Sequence, residues 1–211
     1  MKQIIITIDG PAASGKGRIA KYISKKWKLK HLDSGVLYRR IAKNFINKQV
    51  NLESLNDIRK NLKLIRSLSI KKHKSLRTEK ISKISSKIAV FGIVRNYVNN
   101  CQRDFVKHNI KNKGFVIDGR DIGSVVFKKA DLKLYVEVNE INRAKRRYKQ
   151  LIDTGEKSIY PQILKEIKLR DKKDINRKNS PLVVPKGSFI IDNNGTFTET
   201  SKQVNYLIRK L

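Results

Sequence analysis

Cysteine, histidine and long apolar segments are scarce in this sequence, and each scarcity excludes a class of protein. Cys101 is the single cysteine among 211 residues, which excludes an internal disulfide framework and a cysteine-rich metal site. The three histidines, His31, His73 and His108, lack the close spacing of metal-binding pairs, so we interpret them as surface or structural residues. No apolar run reaches the length that crosses a bilayer, and no leader-like segment precedes the first strand pattern. We therefore expect a cytoplasmic protein with no membrane partner.

Acidic residues are also few: 18 aspartates and glutamates stand against 49 lysines and arginines, which leaves a net charge of +31. One interpretation is a surface for nucleic acid or anionic membrane, where clustered cations release counterions. The other is a general bias of composition. Because the lysines interrupt nearly every polar face and form no arm or stripe, we favour the second interpretation and expect no specific nucleic-acid partner.

Short apolar runs alternate with helical patterns along the chain. Near-continuous Ile, Val, Leu and Phe content is typical of strands that are buried on both faces of a parallel sheet. Predicted strands occupy residues 4–8, 30–33, 114–118, 132–138 and 188–192. Predicted helices occupy about 16–27, 36–48, 54–66, 79–109, 139–153, 160–176 and 198–210, with Asn139 as a capping residue. The alternation predicts an α/β fold wound around a parallel sheet.

Two segments interrupt this alternation. Residues 49–110 contain helical patterns and no clear strand, which indicates an insertion on one side of the sheet. Residues 151–180 are highly charged and contain Gly155 and Pro161, a composition that suits a mobile arm over a site.

The stretch "IIITIDGPAASGKGR" (residues 4–18) places a glycine-rich loop between a buried strand and an amphipathic helix. Such a loop can wrap around phosphate groups, with the helix N-terminus behind it and Lys16 reaching the terminal phosphates. The standard motif has Ser or Thr directly after the lysine, whereas this chain has Gly17 and then Arg18. We infer a nucleotide site; the alternative is a chance glycine-rich turn.

Two further segments place charged groups where predicted strands end. In "HLDSGVLYRR", Arg39 suggests a fork for a second phosphate, while Ser34 is either a ligand or a plain helix cap. In "VIDGRDIG", Asp118, Arg120 and Asp121 stand at the edge of the sheet where ligands bind in α/β folds, and the alternative is a salt-linked turn.

A fourth segment, "LRDKKDINR", places Arg170, Asp174 and Arg177 on one face of a predicted helix. Taken alone, the spacing favours a solvated face of ion pairs. Together with a phosphate loop it favours a clamp on a phosphoryl group, with Asp174 orienting an arginine or the acceptor.

These segments, in this order and spacing, resemble the bacterial cytidylate kinase family of P-loop nucleoside monophosphate kinases. The resemblance covers essentially the whole chain, through "IDGPAASGKG", "LDSGVLYR", "LRTEKISKISSKIAVFGIVR", "DGRDIGSVVF" with "ADLKLYVEV", and "RDKKDINR…PLVVP". It implies a three-layer P-loop fold with a five-stranded parallel sheet. It also implies a core (residues 1–48, 111–150 and 181–211), an NMP-binding insertion (about 49–110) and a lid (about 151–180).

The resemblance implies transfer of the γ-phosphoryl group of ATP to CMP or dCMP with Mg²⁺, and we expect a monomer. The residues implied to hold the ATP phosphates are Gly10, Pro11, Ala12, Ala13, Ser14, Gly15, Lys16, Gly17 and Arg18. Those implied to surround the CMP phosphate and the transferring group are Ser34, Arg39, Arg120, Arg170 and Arg177, of which the last three and Lys16 would be catalytic. Ser86, Arg95 and Asp121 resemble the cytosine-reading set, and Asp174 resembles a ribose contact. No residue is assigned as a direct metal ligand.

The chain departs from the family pattern at two places. Arg18 replaces the Thr or Ser that usually follows "GKG", and the region before "LRTEK" leaves little room for the usual strand-rich excursion. The NMP-binding part is therefore expected to be trimmed or mostly helical. Two alternatives stay open, namely a kinase for another nucleoside monophosphate such as UMP or dTMP, and a basic P-loop relic that binds nucleic acid.

Overall fold

The computed structural model describes residues 3–76, 78–153, 155 and 157–211. These form two compact units, one made of the chain up to His31 together with Asn112–Leu211, and the other made of Leu32–Lys111. Arg77 of the "LRTEK" segment and Thr154 and Glu156 of the predicted lid lie outside the described residues. The domain boundaries drawn from the sequence stay predictions.

Eight α-helices and five strands are found in the described part of the chain. In chain order they are β1 (Ile4–Asp9), α1 (Lys16–Trp27), β2 (Lys30–Asp33), α2 (Ser34–Asn47), α3 (Leu55–Lys63), α4 (Glu79–Ile88), α5 (Gly92–Lys107), β3 (Gly114–Asp118), β4 (Leu132–Glu137), α6 (Glu140–Ile152), α7 (Tyr160–Asn176), β5 (Phe189–Asp192) and α8 (Phe197–Ile208). A 3₁₀ turn at Lys74–Leu76 and a π-helix at Ile122–Val126 complete the set.

The strands form one parallel sheet in the order β2-β3-β1-β4-β5, which confirms the predicted fold class. β1 is central, pairing with β3 on one side and β4 on the other, with Ile8 opposite Asp118 and Asp9 opposite Tyr135. The carboxyl ends of β1 and β3 therefore lie side by side. Ligands of such sheets bind at this edge, where the chain order reverses.

Each unit has its own apolar core. In the first unit, α1 and α8 pack against one face of the sheet, with Ile19, Ile23 and Val204 contacting strand residues such as Ile8 and Leu134. Each such buried aliphatic side chain contributes about 1.5–3 kcal/mol relative to its exposure to water. A smaller cluster, centred on Ala144, Leu151, Ile163 and Ile167, joins α6 to α7.

The core of the second unit is built from helices. Phe45, Ile58, Val94 and Val98 are buried between α2, α3 and α5. The described residues of 49–110 contain no strand, as expected for a mostly helical insertion.

Three predictions about local structure can be compared with the helix ends. The single helix predicted for 79–109 is wrong, because α4 ends at Ile88 and α5 begins at Gly92. The carbonyl of Ala89, left over at that break, accepts a hydrogen bond from Nη1 of Arg95 at 3.1 Å. The alternative of Ser34 as a helix cap is also wrong, since α2 already begins at Ser34. Asn139 is confirmed as a cap, because its Oδ1 accepts the N–H of Asn142 at 2.8 Å.

None of the helices in the described part of the chain is both long enough and apolar enough to cross a membrane.

Candidate active site

The glycine-rich loop lies between β1 and α1, as predicted. Gly15 stands at the N-cap position of α1 with φ near +87°, a left-handed conformation that L side chains rarely adopt. A Cβ at Gly15 would also collide with the side-chain amide of Asn193. That amide donates to the carbonyl of Ser14 at 2.7 Å, and Oδ1 of Asn193 accepts from the hydroxyl of Thr200 on α8 at 2.8 Å. Asn193, which is itself held by α8, therefore stabilises the conformation of the loop.

Lys16 is buried inside this loop. Its ammonium group donates to the carbonyl of Pro11 at 2.6 Å and to Oγ of Ser14 at 3.1 Å. Burial, followed by repulsion from Arg120, holds the pKa of Lys16 well below its ordinary value, although nearby carboxylates act in the opposite direction. An anion placed beside this ammonium would therefore be strongly favoured.

Arg18 points away from the loop interior. Its guanidinium carbon lies 4.0 Å from the centroid of the Phe197 ring at the start of α8, and the residue is exposed. Only its backbone is part of the loop, with the N–H donating to the carbonyl of Gly15 at 2.9 Å.

Asp118 is the last residue of β3 and lies beside the loop. Its Oδ1 is 2.6 Å from Nε2 of His31. Its Oδ2 faces Gly17 and would lie 3.9 Å from a Cβ added to that glycine. His31 is thus a structural residue that orients this carboxylate, in agreement with the sequence interpretation.

The turn after β3 is fixed by a second carboxylate, Asp9, which has no exposed surface. Its two oxygens accept the backbone N–H groups of Ile122 and Gly123 at 2.8 and 2.7 Å. Burial raises the pKa of Asp9 to about 6, even though both hydrogen bonds act to lower it. Arg120 and Asp121 are carried by the backbone that Asp9 holds.

An arginine cluster surrounds Asp174 near the end of α7. Oδ2 of Asp174 accepts from Nε of Arg120 at 3.0 Å, and Oδ1 accepts from Nη1 of Arg177 at 3.2 Å. Burial alone would raise the pKa of Asp174, but Arg120, Arg170 and Arg177 outweigh burial and hold it below its ordinary value. Asp174 and Arg177 are buried, so the solvated face expected of this segment taken alone is wrong. Arg177 lies just beyond the helix, with its backbone extended.

The second unit contains its own group of predicted site residues. Nη2 of Arg39 lies 3.4 and 3.3 Å from the two oxygens of Asp33, and Nζ of Lys72 lies 3.5 Å from one of them. Gly35 makes room for this pair, because a Cβ there would meet both Arg39 and Asp33 at about 3 Å. Ser34 is buried at the first position of α2.

Arg95 is a buried cation of that unit, with 2% of its surface exposed. Its guanidinium carbon lies 5.7 Å from the centroid of the Tyr38 ring. Ser86 is half-buried on α4, the helix that precedes the one carrying Arg95. The residues predicted to read a base thus come from two helices of this unit and, in the case of Asp121, from the first unit.

A comparison with known proteins assigns this chain to a family. A family model described as cytidylate kinase matches residues 6–210. The chain belongs to the cytidylate kinase family. It is 37% identical to the cytidylate kinase of Rickettsia akari over 212 positions, which cover all of this chain and 94% of that protein. It is 40% identical to the cytidylate kinase of Rickettsia prowazekii over 187 positions, which cover 89% and 83% of the two chains.

Two solved structures share the fold. The protein TT1252 from Thermus thermophilus matches with a TM-score of 0.54 at 16% identity, covering 100% of this chain and 99% of its own. An uncharacterised protein from Eubacterium ventriosum matches with a TM-score of 0.51 at 18% identity, covering 99% of each chain. At these identities the similarity concerns the fold alone.

Asp9 and Asn193 shape the site of this kinase but were not among the predicted site residues, and His31 was predicted only as a surface or structural residue. Asp9 and His31 act through contacts with residues far along the chain, and so does Asn193, whose amide reaches the glycine loop. The one local signal was the acid at the end of "IIITID", since a carboxylate at the exit of a buried strand is poor core material.

The raised pKa of Asp9 predicts a pH-dependent stability. A folded-state pKa above the unfolded value stabilises the fold at low pH, and this contribution is lost as the pH rises through about 6. We expect the stability advantage of the wild type over Asp9→Asn to fall by about 2 kcal/mol between about pH 4.5 and 7.5. Denaturant unfolding at each pH measures it.

Asp153→Asn, at the exposed position that follows α6, is the matched control because it removes a carboxylate from the surface. If the change with pH for Asp9→Asn does not exceed that of the control, Asp9 does not titrate with a raised pKa.

Proposed function

We propose that this chain transfers the γ-phosphoryl group of ATP to CMP and dCMP, producing CDP and dCDP. The observation that carries this proposal is the arginine cluster at Asp174, where three arginines outnumber one buried carboxylate. Lys16 is within electrostatic reach of both Arg120 and Asp174. Phosphoryl transfer needs little covalent help, so positive charge in fixed positions is the main thing a kinase has to supply.

The donor phosphates are assigned to residues Gly10–Arg18. Lys16 donates to the carbonyl of Pro11 and to Oγ of Ser14 in its own loop. Phosphate oxygens would replace these neutral acceptors with charged ones, which compensates the buried ammonium better. The N-terminal end of α1 adds its partial positive charge.

Magnesium fits the residues at the loop. Mg²⁺ is usually held by one or two carboxylates together with waters and substrate phosphates, so a complete protein cage is not needed. The described residues contain no group of three acids, histidines or cysteines that could form such a cage. Asp118 would hold the ion, directly or through water, because its Oδ2 faces Gly17 of the loop while His31 holds Oδ1. When bound, Mg²⁺ neutralises charge on the donor phosphates.

The transferring group is assigned to Arg120, Arg170 and Arg177. Asp174 bonds two of these arginines and keeps their guanidinium groups aimed in fixed directions, which lowers the entropy lost when they bind a phosphoryl group. Helix α7 belongs to the segment 151–180, which we assign as the lid that excludes water and so limits wasteful hydrolysis of ATP.

The acceptor is assigned to Ser34 and Arg39 at its phosphate, and to Ser86, Arg95 and Asp121 at its base. The contacts of Arg39 with Asp33, at 3.3–3.4 Å, are longer than ordinary charged hydrogen bonds, so a phosphate dianion would compete for the guanidinium. Reading cytosine requires matched donors and acceptors, and the burial of Arg95 makes a mismatch costly.

A basic relic that binds nucleic acid is less well supported. Contacts with nucleic-acid phosphates need exposed cations, whereas Arg95 and Arg177 are buried and held by specific acceptors. The monomeric state and the cytoplasmic location stay predictions from the sequence.

The acceptor preference is the direct test of the proposed function. With ATP and Mg²⁺, we expect ADP release to be fastest with CMP and dCMP and at least ~10-fold slower with UMP, AMP or dTMP, because the base-reading side chains match one ring. A coupled assay over this panel measures it. A clear preference for UMP or AMP, or no turnover with any acceptor, would overturn the assignment.

The cationic residues should govern turnover rather than folding. Lys16→Ala and Arg177→Ala are each expected to lower kcat by ~100-fold or more while the unfolding transition stays cooperative. Lys21→Ala on the exposed side of α1 and Arg59→Ala on α3 are the matched controls and should stay within about twofold. Near-normal rates in either test variant would contradict the mechanism.

Arg18→Thr is expected to retain or raise activity, because the guanidinium stacks on Phe197 and does not line the loop. Steady-state kinetics at varied Mg²⁺ concentration measure it, and Arg18→Ala separates loss of the guanidinium from gain of the hydroxyl. Abolished turnover in Arg18→Thr would instead assign a phosphate-binding role to Arg18.

A further inference from the structure

A third buried cation of the first unit, Arg143, lies outside all the sets assigned above. It is on α6 and has 4% of its surface exposed. Its Nε donates to the carbonyl of Val138 at 3.0 Å, and its Nη1 donates to the carbonyl of Ala12, inside the glycine loop, at 3.2 Å. The same Nη1 lies 2.5 Å from Oδ2 of Asp171 on α7. One side chain thus contacts both the loop assigned to ATP and the helix assigned to the lid.

Asp171 depends on this contact. Its Oδ1 is buried and has no hydrogen-bond partner among the described residues, so the ion pair between Arg143 and Oδ2 compensates this carboxylate. The side chain is 16% exposed, so loss of its partner would leave a largely desolvated carboxylate uncompensated, which ties its position to that of the guanidinium. Asp171 is adjacent in sequence to Arg170 and precedes Asp174 by one helical turn.

Because a helix moves as a rigid rod, fixing Asp171 also fixes the place where α7 presents Arg170 and Asp174. On the basis of the proposed function, we propose that Arg143 is a positioning residue that couples the phosphate loop to α7. Because Arg143 contacts both Ala12 and Asp171, the placement of the arginine cluster depends on the shape of the loop. Arg143 itself touches no reacting atom.

A second ion pair between the same two helices provides a matched control. Nζ of Lys168 lies 3.4 Å from Oε1 of Glu140, one turn earlier on each helix, and both side chains are largely exposed. This pair joins α6 to α7 as the Arg143 pair does, yet no contact of it reaches the glycine loop. If the Arg143 pair only joined the two helices, removing either pair would have a similar effect, apart from the difference in burial.

The test compares Asp171→Asn with Glu140→Gln by hydrogen exchange and by kinetics. We expect Asp171→Asn to raise amide exchange in residues 12–16 at least ~10-fold and to lower kcat at least ~10-fold, with a smaller change in the KM for CMP. Glu140→Gln should leave loop exchange and kcat within about twofold. Asp171→Glu, which keeps the charge, should restore most of both properties.

Arg143→Lys is the second variant, for use if Asp171→Asn does not fold. Lysine keeps a cation for Asp171 but lacks the fork that reaches several acceptors, so loop exchange should rise while α6 and α7 stay protected. Equal loop exchange in wild type, Asp171→Asn and Arg143→Lys overturns the coupling. Because exchange is measured without substrates, that failure is distinct from failure of the proposed function, which shows as a wild type that does not phosphorylate CMP.

Discussion

Lys16, Arg143 and Arg177 are buried positive charges, and each must be compensated because transfer of an ion from water to the interior costs several kcal/mol. The partners of Lys16 and Arg177 are near them in the sequence, whereas Arg143 is compensated by residues of distant segments. Carbonyls of the glycine loop accept from Lys16 and Arg143, and aspartates of α7 pair with Arg143 and Arg177. The tertiary structure of the first unit is therefore also the scaffold that holds its cations in place.

This arrangement places stability and activity in different parts of the molecule. The core between the sheet, α1 and α8 supplies the burial of apolar surface that holds the first unit together. The polar edge of the sheet contributes far less, and Asp9 illustrates why: burial raises its pKa to about 6, so its ionised form is costly near neutral pH. What Asp9 provides is a fixed backbone in the turn that carries Arg120 and Asp121. A carboxylate in this position is easier to understand as a requirement of the site than as a source of stability.

Much of the fold could be predicted from local patterns. The five strands and the alternation of strands with helices follow from apolar runs and amphipathic periodicity, which depend on near neighbours in the chain. The prediction of one helix over 79–109 was wrong because the apolar periodicity continues through the break. The break is stabilised by a side-chain contact, from Arg95 to the carbonyl of Ala89, which the periodicity does not show. Sequence patterns also placed Arg170 and Asp174 on one face of a helix, but that segment taken alone favoured a solvated face, whereas the structure buries the aspartate. Spacing defines a face, whereas burial depends on what packs against it.

The sequence by itself determined the parallel α/β fold, the position of the glycine loop and the family to which the chain belongs, because each is written in contiguous segments. Only the tertiary structure decided which acid compensates which base: Asp9 holds the turn after β3, His31 orients Asp118, and Arg143 joins the loop to α7. The physical reason is the same in each case. These contacts join residues from different elements, and a buried charge selects its partner by distance in space, which the order of residues along the chain does not specify.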